Sequence, residues 1–525
     1  MTLLATFVTG VTTESSRMSI SLLLEMAVSS NPDRTAIVSG DTRLTTQQLS
    51  DLADGGAGII AGSNANHVVY VGTGGAMLPL LIFASARAGL AFTPINYRLS
   101  AEGIQALIRR LPEPLVIVDS RYREMLRDAG QRVIDSDEFC AQAGEAAPSE
   151  NPAEFPDPDA VAIVLFTSGT TSQPKAVELT HNNLTSYVTG TVEFESAEPT
   201  DAALICVPPY HIAGVGAALS NLYAGRKMVY LPTFDAQEWV RLINAEHVTT
   251  ATVVPTMLDR IVTVLEDGDH QLPSLRNLAY GGSKVVLPLV RRALELLPDV
   301  GFVNAYGLTE TSSTITVLTP EDHRQAQAAS DPAVVKRLGS VGQPVPGIEV
   351  QIRDDNGTVL GPGETGELFV RGDQVSGRYT GIGSVLDADG WFPTRDIATL
   401  DAAGYLFIGG RSDDTIIRGG ENIAPAELED VLIEHAHVHD VAVVGVDDPQ
   451  WGQAIVAVVV PAAGADPDPE ELREHVRKSL RGSRTPDRVV FRDELPTNAT
   501  GKVLRREIVD ELRAAPARAV RNQTS

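Results

Sequence analysis

A chain of 525 residues exceeds what one hydrophobic core supports, so two or more domains are expected. Its 43% hydrophobic and 21% charged residues are the composition of a soluble globular protein. A formal net charge of −26 speaks against non-specific nucleic-acid binding and requires any anionic ligand to be held by a few local cations or a metal ion.

Residues 1–18 read as a loose tail, with Met18 a second candidate start. The tail lacks the basic start of a signal peptide, and no run in the chain reaches the roughly 18–20 apolar residues of a spanning helix. Two cysteines, Cys140 and Cys206, give neither a disulfide framework nor zinc spacing, so a cytoplasmic location is expected. Residues 19–29 read as an amphipathic helix, Thr35 to Val38 begins a hairpin-like segment, and Leu44 to Leu52 starts a second helix with Thr45 and Thr46 near its cap. Strands at Val68–Val71, Ala91–Pro94 and Leu115–Val118 alternate with helices, which predicts a largely parallel sheet covered on both faces. Residues 141–159, rich in Pro, Ala and acid, read as a connecting loop.

Val161 to Phe166 is an apolar strand, followed by Thr167-Ser168-Gly169-Thr170-Thr171-Ser172-Gln173-Pro174-Lys175. This loop offers several O–H and N–H donors and one mobile cation, which suits the outer phosphates of a nucleotide. It is not a Walker A loop, because Lys175 follows Pro174 and precedes Ala176. Composition alone also permits a plain surface turn. Further strand–helix units follow: strand Leu204–Val207 leads to Pro208-Pro209-Tyr210-His211, helices are expected at about 215–223 and 236–245, and Pro255 opens another helix. His211, Gly281-Gly282, Asn304 and the hydroxyl-rich loop all read as carboxyl ends of strands, where ligands sit in open α/β sheets. Residues 348–408 read as short strands with many glycines, and the stretch after Gly420 as a separate α+β unit.

TSGTTSQPKA resembles the phosphate loop of the adenylate-forming enzymes, which include acyl- and aryl-CoA synthetases, firefly luciferase and peptide-synthetase adenylation domains. Further motifs match in family order over about residues 160–505, while the first 150 residues match only in general pattern. The resemblance implies an α/β fold: a large domain of doubly wound sheets (19–411, with a β-rich subdomain at about 345–410) and a mobile small α+β domain (412–525) hinged at Asp413. In Asn304-Ala305-Tyr306-Gly307-Leu308-Thr309-Glu310 it assigns Asn304 and Tyr306 to adenine, Thr309 to the α-phosphate and Glu310 to Mg²⁺; Gly307 belongs to the same motif, and Gly282 and Ser283 to the preceding YGGSK. Asp396 matches the ribose-binding aspartate, although Arg395 replaces the usual preceding glycine. Arg411 matches the ribose or phosphate ligand. Gly419 and Gly420 match the loop lining the pantetheine tunnel in CoA-using members. Lys502 matches the catalytic lysine, a cation able to bridge substrate carboxylate and α-phosphate. Ser172 and Ala176 stand where the family more often has glycine, which predicts a stiffer phosphate loop.

The implied reaction is ATP-dependent activation of a carboxylic acid as acyl-AMP, then thioester formation with CoA after the tail domain rotates and Lys502 gives way to Gly419-Gly420. ATP, Mg²⁺ and CoA are the expected cofactors and co-substrates. Amino-acid-activating relatives carry an Asp near the Tyr210–Gly214 segment; its absence disfavours an α-amino acid. His211 matches the residue at the mouth of the acid pocket, and the small residues Ala213, Gly214, Gly216, Ala217 and Ala218 leave room for a fatty or other apolar acid. An acyl carrier protein or an amine is the alternative acceptor, although no large insert of the acyl-AMP ligase type is present. A non-catalytic nucleotide- or acyl-binding relative is the third reading, opposed by intact Glu310, Asp396 and Lys502. No nucleic acid or membrane partner is expected, and the chain is compatible with a monomer or a homodimer.

Overall fold

A computed structural model describes residues 17–127, 130–146, 155–167, 174–268, 270–419, 421–480, 482–498 and 501–514. Ser168, Gly169, Thr170, Thr171, Ser172 and Gly420, for which the sequence predicts roles, and the tail before residue 17 lie outside the described residues.

Two large sheets dominate. One has nine strands and runs from Gln343–Pro344 at one edge to Thr42–Thr45 at the other; the second has eight, from Gly383–Ser384 to Arg132–Asp135. Most neighbours in both are parallel and joined through helices, as the alternation predicts. Helices Ile20–Ser30, Met77–Arg87 and Ile212–Tyr223 fill the space between the sheets. Leu23, Phe83 and Leu219 pack there with Ile37 of one sheet and Val68, Ile117 and Leu165 of the other. The outer faces carry their own cores, around Trp239 and Leu258 on the nine-stranded sheet and around Ile104 and Val116 on the other.

The β-rich stretch forms a four-stranded antiparallel sheet of Glu349–Arg353, Thr365–Arg371, Phe392–Leu400 and Leu406–Arg411. Its neighbour Arg378–Tyr379 pairs instead with the eight-stranded sheet at Val177, tying the two units together. Beyond Arg411, strands Val438–Asp448 and Gly452–Pro461 alternate strictly. Val441, Val443, Ala457 and Val459 face helices Pro425–Leu432 and Pro469–Ser479, while Ala442, Val444, Val456 and Val458 face Ile508. This three-stranded sheet has two buried faces and its own core.

Several boundaries differ from the sequence reading. Thr45 caps a helix spanning Thr46–Ala61, so Leu44 belongs to the preceding strand. Helix Ser136–Glu145 extends into the expected connecting loop because Asp135 accepts the Asp137 N–H and caps it. Asn304 is not at a strand end. The strand runs Gly301–Leu308 and turns back through Ser313–Leu318 as an antiparallel pair with a bulge at Tyr306/Gly307. No helix among the described residues is long and apolar enough to cross a membrane.

Candidate active site

A single cavity of about 1380 Å³ lies where the two large sheets, the four-stranded sheet and the C-terminal unit converge. Strands Val161–Thr167 and Lys175–Thr180 are an antiparallel hairpin that brings Thr167 and Lys175 to its wall; Thr167 faces Lys175 across the ladder. Arg110 fixes the base of this hairpin, donating to the Pro174 carbonyl at 2.7 Å with its guanidinium 5.0 Å from the Phe166 ring. Gly282, at φ +84°, and Gly307 also line the cavity, while Ser283 stands just beyond the wall. A Cβ on Gly307 would lie 1.7 Å from the Ser313 carbonyl oxygen, so only glycine lets the return strand close here.

Thr309 and Glu310 occupy a short 3-10 turn, Thr309–Thr311, opening on the cavity. The Glu310 carboxylate accepts from the Tyr379 phenol at 2.9 Å, and its carbonyl accepts from the Ser376 N–H at 2.9 Å. Lys175 places its ammonium 5.3 Å from the centre of the same Tyr379 ring. Burial, followed by the Glu310 charge, pushes the Tyr379 phenol above its ordinary range, so it stays a donor. Among the described residues no cation pairs with Glu310, which leaves its charge available to a hard metal ion.

Asp396 and Arg411 are direct partners on paired strands. The Arg411 Nε lies 3.3 Å from Asp396 Oδ1, and Tyr306 donates its phenol to Oδ2 at 2.5 Å. Asp396 is only 5% exposed and sits just behind the cavity wall. Burial raises its carboxyl, while Arg411, the Tyr306 hydrogen bond and Lys502 pull it back. Tyr306 therefore buttresses the carboxylate, and neither it nor Asn304 lines the cavity. The Asn304 amide donates to the Ser340 carbonyl at 3.0 Å, while the alternate residues Val303, Ala305 and Gly307 face the cavity. Arg395 lines the cavity and holds φ +65°, a left-handed backbone that favours the glycine it replaces.

Lys502 enters from the C-terminal unit. Its N–H donates to the Asn498 side-chain oxygen and its carbonyl accepts from the Asn498 N–H, both at 2.9 Å, closing a tight loop flanked by the Thr497–Val503 bridge. Burial and the Arg411 charge lower the Lys502 ammonium, opposed by Asp414 and Asp396. Lys502 and Arg411 line the same cavity. Gly501, at φ +74°, packs on Thr256 of the large unit. A second cross-unit contact joins Lys284 to Asp430 at 2.5 Å. Asp413 and Asp414 lie in the turn Ser412–Asp414 directly after Arg411 and also line the cavity. Gly419 is elsewhere: it donates to the Trp451 carbonyl at 2.8 Å and does not line the cavity.

The remaining wall is largely apolar. His211 precedes helix Ile212–Tyr223 and stacks on Tyr210 with ring centres 4.7 Å apart. Its Nε2 is buried without a partner among the described residues, as is the Tyr210 hydroxyl. Burial, with Arg98 nearby, pushes the imidazole down to about 4, so it is neutral at pH 7. Ala213 and Ala217 line the cavity as expected. Gly214, Gly216 and Ala218 are buried in packing instead; a Cβ on Gly214 would lie 2.7 Å from the Pro208 carbonyl. Tyr379 and Arg110 were not singled out from the sequence, since neither lies in the motifs that point to the site; Asp414 lies in the hinge segment but received no role of its own.

The chain belongs to the AMP-binding enzyme family: that family's model matches residues 24–380, and the model for the AMP-binding enzyme C-terminal domain matches residues 427–502. It is 34% identical over 491 residues to a feruloyl-CoA synthase of Amycolatopsis sp, covering 91% of this chain and 96% of the relative. It is 32% identical to the fatty acid–[acyl-carrier-protein] ligase ScoC of Streptomyces coeruleorubidus, over 87% of this chain and 88% of that one. Among solved structures, o-succinylbenzoate CoA synthetase (MenE) from Bacillus subtilis, in complex with the acyl-adenylate intermediate OSB-AMP, matches with a TM-score of 0.81 at 28% identity, over 93% of this chain and 97% of that one.

Proposed function

We propose that this enzyme activates a carboxylic acid with ATP as an acyl adenylate, releasing pyrophosphate, and then forms a thioester with coenzyme A, releasing AMP. The observation that carries this reading is that Lys502 and Arg411 line one cavity with Lys175 and Glu310, with Asp396 held by Arg411 just behind its wall. A cation presented from one unit to a carboxylate and guanidinium on another suits a reaction in which charge moves between a carboxylate and a phosphate.

In this reading Lys175 and the loop Thr167, Ser168, Gly169, Thr170 and Thr171 hold the outer phosphates, and Thr309 the α-phosphate. Asp396, braced by Tyr306 and Arg411, accepts from the ribose hydroxyls; a carboxylate offers about four lone-pair directions, and two are taken. The adenine side lies along Gly282, Ser283 and Gly307, with Asn304 anchoring the strand behind it. Glu310 would hold a magnesium ion, which would supply charge neutralisation for the phosphates, and the donor set fits it: a cavity-facing carboxylate oriented by a phenol and paired with no cation among the described residues. Residues 19–411 form the large domain and 412–525 the small one, with Asp413 as the pivot. Rotation there withdraws Lys502 and brings Gly419 and Gly420 to the cavity for the thiol step.

The acid is apolar. Neutral His211, Tyr210, Ala213 and Ala217 provide no charged partner for a substrate ammonium. The relatives, a feruloyl-CoA synthase and a fatty acid–[acyl-carrier-protein] ligase, span aryl and fatty acids, and this wall suits either. ScoC's name also supports a second reading in which a carrier protein is the acceptor. A panel of aryl and fatty acids, read by AMP release with CoA or with a carrier protein, tests both. Acid-dependent acyl-CoA formation supports the first; acyl transfer to carrier alone overturns it in favour of the second.

A further inference from the structure

Far from the cavity, the small unit gathers histidines around one carboxylate. His435 and His437 flank the turn between helix Pro425–Leu432 and strand Val438–Asp448, and Glu471 stands in the first turn of helix Pro469–Ser479. One ligand atom from each of His435, His437 and Glu471 lies within 4.8 Å of the others. His435 Nε2 is 3.4 Å from one Glu471 oxygen, and His437 Nδ1 is 4.0 Å from the other. His475, one turn beyond Glu471 on the same helix, sets its ring 5.1 Å from that of His435 and holds the Val431 carbonyl at 3.0 Å. None of these residues lines the cavity.

We propose that His435, His437 and Glu471 form a binding site for a divalent transition-metal cation of the zinc class, which fastens the turn to the helix. Two imidazoles and one carboxylate select zinc, nickel or copper over magnesium or calcium, which prefer oxygen alone. Ligands about 2.0–2.1 Å from a tetrahedral zinc lie roughly 3.3 Å apart, so atoms now up to 4.8 Å apart must close by up to about 1.5 Å. The side chains allow this: His437 and Glu471 are 47% and 50% exposed, while His435, at 13%, provides the fixed point. Water completes the coordination. The His435 Nδ1 accepts from the His437 N–H at 3.3 Å, so its proton sits on Nε2 facing Glu471. Coordination through Nε2 moves that proton to Nδ1, giving up one long hydrogen bond. The chain's net charge of −26 favours cation uptake at such a place.

The test is calorimetric titration of the chelator-treated full-length enzyme with zinc. One equivalent should bind, excess Mg²⁺ should not displace it, and the melting temperature should rise. His437→Gln and Glu471→Gln, both at half-exposed positions, should each weaken zinc binding by about tenfold or more. Adenylation by either variant should match the parent, because the site lies outside the cavity. Absence of saturable zinc binding, or unchanged affinity in both variants, overturns the assignment.

Discussion

The phenol of Tyr379 donates to the Glu310 carboxylate at 2.9 Å. Its ring also lies beneath the Lys175 ammonium, so one side chain connects the hairpin of strands Val161–Thr167 and Lys175–Thr180 to the carboxylate opposite it. Tyr379→Phe keeps the ring and removes the hydroxyl. A hydrogen bond to a charged group contributes about 1.5–3 kcal/mol, so adenylation should fall roughly 10- to 100-fold. Acid-dependent pyrophosphate exchange measures it, and a rate equal to the parent's contradicts the coupling.

Gly501→Ala should act on one half-reaction. An added Cβ meets Thr256 Cγ2 at 2.7 Å, across the contact that seats Lys502. The left-handed backbone at +74° adds strain. Adenylation should drop about tenfold, while thioester formation from supplied acyl-AMP should hold. Adding Thr256→Ala removes the clashing methyl and should restore part of the loss; no recovery argues against the steric account.

Arg395 keeps a left-handed backbone at +65° that costs an ordinary residue about 1–2 kcal/mol. Arg395→Gly relieves that strain but adds chain freedom in the unfolded state, about 0.5–1 kcal/mol in the other direction. A net gain of up to about 1 kcal/mol should appear in urea unfolding. Because Arg395 faces the cavity, KM for ATP should rise in the same variant.

Burial pushes His67, His181 and His211 each down to about 4. The unfolded chain takes up these protons near the ordinary value of about 6.5, and the folded chain does not until about 4. The stability these three histidines contribute should therefore be fully present above pH 6.5, decline between 6.5 and 4, and change no further below. Urea unfolding across that range should show the decline, and His211→Phe should make it shallower. A slope unchanged by that substitution would mean that His211 titrates normally.

The parts of the fold governed by periodicity were legible in the sequence. The small unit's two long strands announced themselves because each buries both faces in strict alternation, and Pro255 marked its helix start. Helix Ile212–Tyr223 read as starting late because no side chain caps it. The strand through Asn304 read as ending early because Gly307 resembles a turn residue, whereas its small size serves a bulge and a close return strand. Tyr379 was invisible for another reason: its partner Glu310 is 69 residues away, on a turn of the nine-stranded sheet, while Tyr379 pairs into the eight-stranded one. The motif points the Tyr306 ring at a base but gives no sign that its hydroxyl donates to Asp396, 90 residues away.

In the proposed reaction Lys502, which lines the cavity together with Arg411, serves the first half-reaction alone. The direct measurement is Lys502→Ala assayed separately for acid-dependent pyrophosphate exchange and for thioester formation from supplied acyl-AMP and CoA. Loss of a positioned cation typically costs about 10²–10³ in rate, and that loss should appear in pyrophosphate exchange only. Equal loss in both half-reactions would contradict the account.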